Sequence, residues 1–372
     1  MQGHSMNTKR TKPSIFRTKV FVGLSGGVDS AVSAALLLKQ GYDVTGVFIK
    51  VWSPDFLPCT WREERRDAMR VAAHLNIPFL FFDFEKEYKA GVADYMIDEY
   101  KVGRTPNPDV MCNKVVKFGA FWQKAKEMGA DFIATGHYAQ VQLQVESYQL
   151  LEGKDEAKDQ SYFLWTLTNE DLSHTLFPVG GFEKTQVREL ARHFNIPVAE
   201  KKDSQGICFI GEITLDEFLS EFIETKKGDV LDTKGNTIGT HKGAIFYTLG
   251  ERHGFDVTKK KPTDGAFYVV SKDMMNNTIT VSSDTIEIDS LSYKNFTLSN
   301  INLLGDYEDI ESARIRYRGQ KLPVVLTNVD GSYKAELKEP ERGVSVGQSM
   351  VFYKGDKCLG GAVIEHLSPH TI

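Results

Sequence analysis

Two stretches of this 372-residue chain carry residue types and spacings suited to chemistry, and a third holds a matching thiol. The first is Gly23-Leu24-Ser25-Gly26-Gly27-Val28-Asp29-Ser30, where the apolar run KVFVGL passes directly into a helical pattern. Glycines at such a junction let backbone N–H groups approach an anion, and the helix N-terminus adds partial positive charge and unpaired donors. No Gly-Lys-Ser/Thr follows, so this is not a Walker A loop, and the glycine spacing is wrong for a dinucleotide fingerprint. A lone Gly-Gly would by default be a tight turn capped by Ser25 or Ser30. The complete SGGVDS string between strand and helix points instead to a phosphate.

The second stretch, GRTPNPDVMCNKVVKF, sets Asp109 and Cys112 three residues apart beside a loop stiffened by Pro106 and Pro108. If Asn107 caps a helix with Pro108 at its first position, Cys112 lies near the N-terminal end, where a thiolate is favoured. An isolated cysteine is more often a buried structural thiol. The nearby carboxylate, able to move a proton, shifts the balance towards function. In the third stretch, KKDSQGICFIG, Cys208 follows a polar, flexible run; ICFI alone would be a core strand. Two such thiols, if they meet, could carry a persulfide on one sulfur and resolve it as a disulfide with the other. They could also contribute to an iron–sulfur cluster, although two are too few to specify one. Cys59 and Cys358 have no polar constellation and read as structural.

From Lys19 to about Asn195 apolar runs alternate with helical patterns, as a parallel sheet with crossover helices requires. Strands are expected at KVFVGLS, DVTGVFIKVW, FLFFDF and DFIATG. Helices are expected at AVSAALLLKQ and near Arg62–Leu75, Glu87–Tyr100 and Lys114–Met128. The pattern is α/β: a doubly wound, Rossmann-like N-terminal half. Beyond Lys201 the texture becomes short strands broken by Gly and Asp, with hairpin signals at Asp330-Gly331 and Gly355-Asp356. The expected organisation is a nucleotide-binding domain over 19–200, a small central domain over 201–285, and a C-terminal antiparallel β-barrel over 286–372.

The 45 basic and 50 acidic residues give a net charge of −5, so an RNA site must be a local patch. Arg314, Arg316 and Arg318 alternate on an expected strand and would project from one face, with Tyr317 opposite. The run Lys259–Lys261 reads as a solvated loop. Four scattered cysteines suggest neither a disulfide framework nor a zinc ribbon and fit a reducing cytoplasm. No apolar run reaches the roughly 18 residues of a membrane span. The opening MQGHSM resembles a cloning scar.

SGGVDS resembles the loop of pyrophosphatase-loop ATPases, which split ATP between the α and β phosphates. With GRTPNPDVMCNK, ATGHYA, KDQSYFLW, FPVG, KKDSQGICFIGE, YTLGERHG, FYVV, RIRYR, VGQS and CLGGAVIE in one order, the chain resembles bacterial tRNA-specific 2-thiouridylases from about Lys19 to Glu365. That resemblance implies ATP, with Mg²⁺, held by Gly23 to Ser30, Ile49 and Gly136. It implies a target base met by Asn107, Pro108 and Asp109, the last assisting proton transfer. Cys208 would carry the persulfide and Cys112 would be the partner thiol. His137, Lys158, Asp159, Gln160, Arg316, Tyr317 and Gln348 would lie along the tRNA, and an upstream persulfide donor protein would supply sulfur. The chain departs from the family pattern at Lys50-Val51-Trp52-Ser53-Pro54, which is less acidic and shorter, and at Glu251, usually glutamine. Two rival readings are an amidating ligase acting on a small molecule, with inert cysteines, and a tRNA-binding module without catalysis.

Overall fold

The computed structural model describes residues 17–57, 60–145, 147–202, 214–224, 226–259, 265–289 and 291–369. The sequence-based expectations for Cys59, Cys208 and the lysines after Lys259 fall outside them.

Among the described residues, seven strands precede the central domain: β1 (Lys19–Gly23), β2 (Asp43–Lys50), β3 (Phe79–Asp83), β4 (Phe132–Ala134), β5 (Ala139–Leu143), β6 (Tyr148–Glu152) and β7 (Thr175–Leu176). Five of them form a parallel sheet in the order β3-β2-β1-β4-β7. Its inner strands are covered on both faces, which is why they read as continuous apolar runs: Val20, Phe21 and Val22 of β1 are all buried. Helices α1 (Val28–Lys39) and α2 (Trp61–His74) cover one face, with Val32, Leu36, Ala68 and Val71 in a common core. The other face receives a helical run over Pro108–Cys112, Asn113–Ala120 and Phe121–Glu127, whose Phe118, Phe121 and Ala125 pack with Phe21 and Ile133. A second run, Glu85 to Lys101, starts close to the expected helix. Both runs widen to π-helix in the middle, at Lys89–Asp94 and Asn113–Ala120, a feature common near functional sites.

The central domain is a sheet in the order β10-β9-β8-β12-β11, built from β8 (Gly228–Leu231), β9 (Thr237–His241), β10 (Phe255–Val257), β11 (Tyr268–Asp273) and β12 (Thr278–Ser282). Its Val230, Phe218 and Phe246 share a core with Met96, Ile97 and Tyr100 of the first domain. The departure at Lys50–Pro54 belongs to this junction: Trp52 meets Phe218 edge-on at 6.5 Å and Phe222 at 6.0 Å, while Lys50 pairs with Glu85. At the other departure, Glu251 accepts a hydrogen bond from the Thr248 N–H at 3.0 Å, a role glutamine could also fill.

The last six strands are β13 (Ser292–Leu303), β14 (Ser312–Arg314), β15 (Leu322–Val329), β16 (Ser332–Arg342), β17 (Ser349–Lys354) and β18 (Lys357–Pro369). They pair antiparallel in the order β13-β16-β15-β14-β17-β18, and β18 returns to β13 to close the barrel. Asp330 at φ 51° and Gly331 at φ 82° make the expected two-residue turn between β15 and β16. The hairpin β5–β6, which has no counterpart in the expected strands, leaves the first domain and pairs β6 with β18, Cys358 opposite Leu150.

That seam buries charge. Arg314 Nη1 lies 2.8 Å from Asp159 and 2.9 Å from Glu152, and Lys321 Nζ lies 2.6 Å from Glu152. Asp159 also accepts from the N–H groups of Gly153 and Ser161 and from the Ser161 hydroxyl. Nearby, Tyr162 donates to the carbonyls of Ile315 and Ser349, and Trp165 to the Ser349 hydroxyl. A further clamp is bidentate: Arg104 grips Glu365 at 2.8 and 2.9 Å and Glu99 at 2.7 Å. Among the described residues, no helix is long and apolar enough to cross a membrane.

His137 follows β4 and is enclosed. It is 8% exposed, shares a 2.8 Å hydrogen bond with the Thr135 hydroxyl, and packs against Phe118 and Phe177 at 5.8 and 6.0 Å. Burial, assisted by nearby Lys117, holds its pKa well below the ordinary value, so the folded ring is neutral.

Two outcomes follow from this packing. Arg314→Leu leaves the buried Asp159 without its cation and Glu152 with Lys321 alone, and urea unfolding should show a loss of about 3–5 kcal/mol; a loss below about 1 kcal/mol would contradict the arrangement. Because the folded pKa of His137 is depressed, the unfolded chain takes up the proton first, and the ring's contribution is complete only above the unfolded value near 6.5. It is lost as pH falls below that value, so wild type minus His137→Phe should show a stability slope approaching about 1.4 kcal/mol per pH unit between pH 6 and 5.

Candidate nucleotide and thiol site

Strand β1 ends at Gly23, and Ser25–Gly27 turn the chain into α1, whose N-cap is Gly27 in an extended conformation. Gly26 adopts φ 76°, and a Cβ there would lie 2.4 Å from the Glu64 carbonyl. Only glycine allows α2 to approach this closely. The loop is closed by Ser30, whose hydroxyl accepts from the Ser25 N–H at 3.2 Å and donates to the Gly27 carbonyl at 3.2 Å. Gly136 serves the same closeness from the other side: a Cβ there would lie 2.7 Å from the Ser30 nitrogen. Glycines thus line the loop from two directions, and the first turn of α1 opens beside them. Ile49 lies near the carboxyl end of β2, within reach of Gly23: a Cβ built there would lie 4.0 Å from the Ile49 Cδ1.

Two cations beside this loop were not identified from sequence. Lys184 Nζ holds both carboxylate oxygens of Asp29 at 2.7 and 2.8 Å, and the Tyr138 hydroxyl donates to Asp29 at 2.8 Å. Lys201 Nζ donates to the Gly26 carbonyl at 3.2 Å and to Asp67 at 2.8 Å. Lys184 opens the helix Lys184–His193, and Lys201 stands two residues before the undescribed segment 203–213. Both come from distant sequence, and only the fold brings them to the glycines. A sequence signal exists for Lys201 in the polar KKD preceding Cys208, but none exists for Lys184.

Asn107 caps the helix Pro108–Cys112 as expected: its Oδ1 accepts from the Val110 N–H at 3.2 Å, and Pro108 fills the first turn. The helical run starting here leads into β4, which is parallel to β1, so it runs back along the sheet. Its N-terminal end therefore lies at the carboxyl rim of the strands, the rim that also carries the phosphate loop. Asp109 sits half-buried in the first turn, and Cys112 is fully buried. Cys112 shares its apolar cluster with Val116, Leu164 and Cys358. The Cys358 thiol is pushed up to about 12 by burial, consistent with a packing role.

The other site residues separate into two kinds. Asp159, 4% exposed, spends its carboxylate on Arg314, Ser161 and Gly153, and His137 is enclosed as described, so both hold the scaffold in this state. Gln160 accepts from the Tyr138 N–H at 2.9 Å, and Gln348 from the Ser345 N–H at 3.0 Å. Lys158, Gln160 and Gln348 are half-buried; Arg316 is exposed, bonded to Glu341 and to the Arg342 carbonyl. The expected arginine row does not exist. β14 ends at Arg314, which turns inward to the buried carboxylates, and the chain then enters a turn with Arg318 at φ 59°. Tyr317 lies outside the barrel core, against Phe163 at 4.5 Å and Tyr162 at 6.4 Å.

Comparison with known proteins fits this arrangement. Residues 18–212 match the family model described as tRNA methyl transferase HUP domain, 216–283 its PRC-barrel domain, and 293–364 the aminomethyltransferase beta-barrel domain. The tRNA-specific 2-thiouridylase MnmA of Listeria innocua is 44% identical over 355 residues, 93% of this chain and 94% of that protein. Its counterpart from Staphylococcus carnosus is 43% identical over 94% of this chain and 95% of its own length. Among solved structures, a 4-thiouridine synthetase–RNA complex with bound ATP aligns over 55% of this chain and 50% of that one, at 23% identity and a TM-score of 0.36. With three consecutive domain matches and relatives this similar over nearly its whole length, the chain belongs to the tRNA-specific 2-thiouridylase family.

Proposed function

We propose that this protein converts the wobble uridine of tRNA to 2-thiouridine, using ATP to activate the C2 carbonyl oxygen and a cysteine persulfide to supply sulfur. The observation that carries the reading is similarity at 43–44% identity across more than nine-tenths of the chain to proteins named for that activity. The glycine-lined loop and the Asn107-capped helix, meeting at one rim of the sheet, support it chemically.

In this reading the loop N–H groups and the start of α1 receive the phosphates of ATP, with Ile49 and Gly136 beside the nucleotide. Lys201 and Lys184, now on Asp67, the Gly26 carbonyl and Asp29, are placed to exchange those partners for phosphate oxygens. Mg²⁺ arrives with the nucleotide, and Asp29 is the loop carboxylate that would face it. Uridine O2 attacks the α-phosphorus, pyrophosphate departs, and Asp109 manages the proton of the base. The terminal sulfur of a Cys208 persulfide then adds to C2. The Cys112 thiolate attacks the inner sulfur, the S–S bond of the persulfide breaks, and AMP leaves with the former uridine oxygen. The products are 2-thiouridine and a Cys112–Cys208 disulfide, which an external thiol reduces before a donor protein reloads Cys208. Because Cys112 is fully buried, docking of the RNA must open this corner before the thiol can act. Asn107 and Pro108 frame the target base, while Lys158, Gln160, Arg316, Tyr317 and Gln348 face the surrounding RNA.

Cys112→Ser and Cys208→Ser should each reduce 2-thiouridine, read by mass spectrometry of tRNA nucleosides, below detection while tRNA-dependent pyrophosphate release persists for a single turnover. Full thiolation by either variant would refute the two-thiol scheme, and indifference to both with nitrogen incorporated into a small molecule would favour an amidating ligase. Lys201→Met should lower pyrophosphate release roughly 10- to 150-fold, mainly through the KM for ATP, matching about 1.5–3 kcal/mol for a lost charge-assisted bond.

A further inference from the structure

Beside the Pro108–Cys112 helix lies an aromatic pair of which the proposed function uses only Tyr317, as a surface facing RNA, and leaves Phe163 without a role. Phe163 and Tyr317 come from different domains, one from the turn Ser161–Phe163 and the other from the segment after β14, and their rings meet at 4.5 Å and 44°. Both are half-buried, so each keeps ring surface open to solvent. The exposed Arg318 sets its guanidinium 5.0 Å from the centre of the Tyr317 ring. It does so from a left-handed backbone at φ 59°, which a non-glycine residue adopts at some cost. A planar, delocalised group thus already lies over the ring in the position a nucleobase would take.

The pair is braced against the thiol helix on one side and the barrel on the other. Asn113, which directly follows Cys112 and is 2% exposed, donates its side-chain N–H to the Phe163 carbonyl at 3.0 Å. Phe163 follows Tyr162, whose ring is enclosed at 3% exposure. Tyr162 is in turn fixed to the barrel through the carbonyls of Ile315 and Ser349, each at 3.0 Å. A pair needed only for packing between domains would not require a buried side-chain bond from the residue that directly follows Cys112.

We propose that Phe163 and Tyr317 form a stacking shelf for the unpaired nucleobase next to the target uridine, with Arg318 as a cation that gives up the ring face to the base and moves to the RNA backbone. This rests on the tRNA-thiolation reading and deepens it. The depth of the site assigns the neighbouring base rather than the target: Cys112 is fully buried, so a reacting uridine must pass inward, whereas the shelf is at the rim. Aromatic rings stack bases of any sequence, and base extrusion needs a surface that compensates for lost stacking in the RNA.

The test uses the full chain and an RNA hairpin whose loop carries 2-aminopurine beside a uridine. Stacking on a ring quenches the fluorescence of this base. Wild type should quench the probe, Phe163→Leu should abolish the quench and weaken binding roughly 5- to 150-fold, and Phe163→Tyr should restore both. Tyr317→Leu, read in the same assay, guards against misfolding of the first variant. Unquenched probe bound to wild type, or equal quench with both leucine variants, overturns the shelf whether or not the enzyme thiolates. Quench lost in the leucine variants and kept in Phe163→Tyr upholds it even if no 2-thiouridine forms, in which case the thiolation reading alone has failed.

Discussion

Arg314 reaching across the seam to Asp159 and Glu152 is the contact on which the rest of the molecule depends. A guanidinium and two carboxylates largely withdrawn from water are tolerable only when paired, and here Lys321, Ser161 and two backbone N–H groups add to the pairing. Two of the partners stand on the nucleotide-binding domain and two on the barrel. Separating the domains would part both cations from both carboxylates, so the network fixes domain orientation as well as contributing to cohesion. Burial pushes the Glu152 carboxyl up, while Lys321 and Arg314 oppose that shift.

That fixed orientation has consequences for the site. The β5–β6 hairpin continues the barrel sheet, the segment after it carries Lys158 to Phe163, and Arg104 ties the Asn107 loop to Glu365 of β18. A site at the strand rim of the first domain is thereby given a second wall made by the third. The sheet supplies the phosphate side through ordinary crossover topology, since loop and helix start share the carboxyl rim. Lys184 and Lys201 arrive beside the glycine loop from distant sequence, and aromatic rings from two domains flank the Pro108–Cys112 helix.

Family membership and physical geometry inform different parts of this picture. The similarity to 2-thiouridylases identifies the reaction class, while the coordinates reveal that several residues expected along the RNA already have work inside the protein. Asp159 and His137 are enclosed and partnered in this state. Both hold the loops around them, whereas Arg316 is exposed and Tyr317 half-buried.

Local patterns in the sequence determined what local physics controls. Buried parallel strands show as apolar runs, Asn107-Pro108 as a helix start, Asp330-Gly331 as a hairpin turn, and SGGVDS as an anion-binding junction, because each follows from backbone conformation or capping within a few residues. Tertiary structure alone decided the rest. Arg314, Arg316 and Arg318 looked like one face of a strand until the carboxylates of Asp159 and Glu152 drew the first inward and a left-handed turn ended the alternation. Lys184 carries no motif, and its place on Asp29 depends on a helix more than 150 residues downstream packing against α1. Phe163 meeting Tyr317, like β6 joining β18, is a pairing between distant segments that no spacing rule encodes. Charge pairing and ring contact are long-range in sequence though short-range in space, and only the folded chain brings the two together.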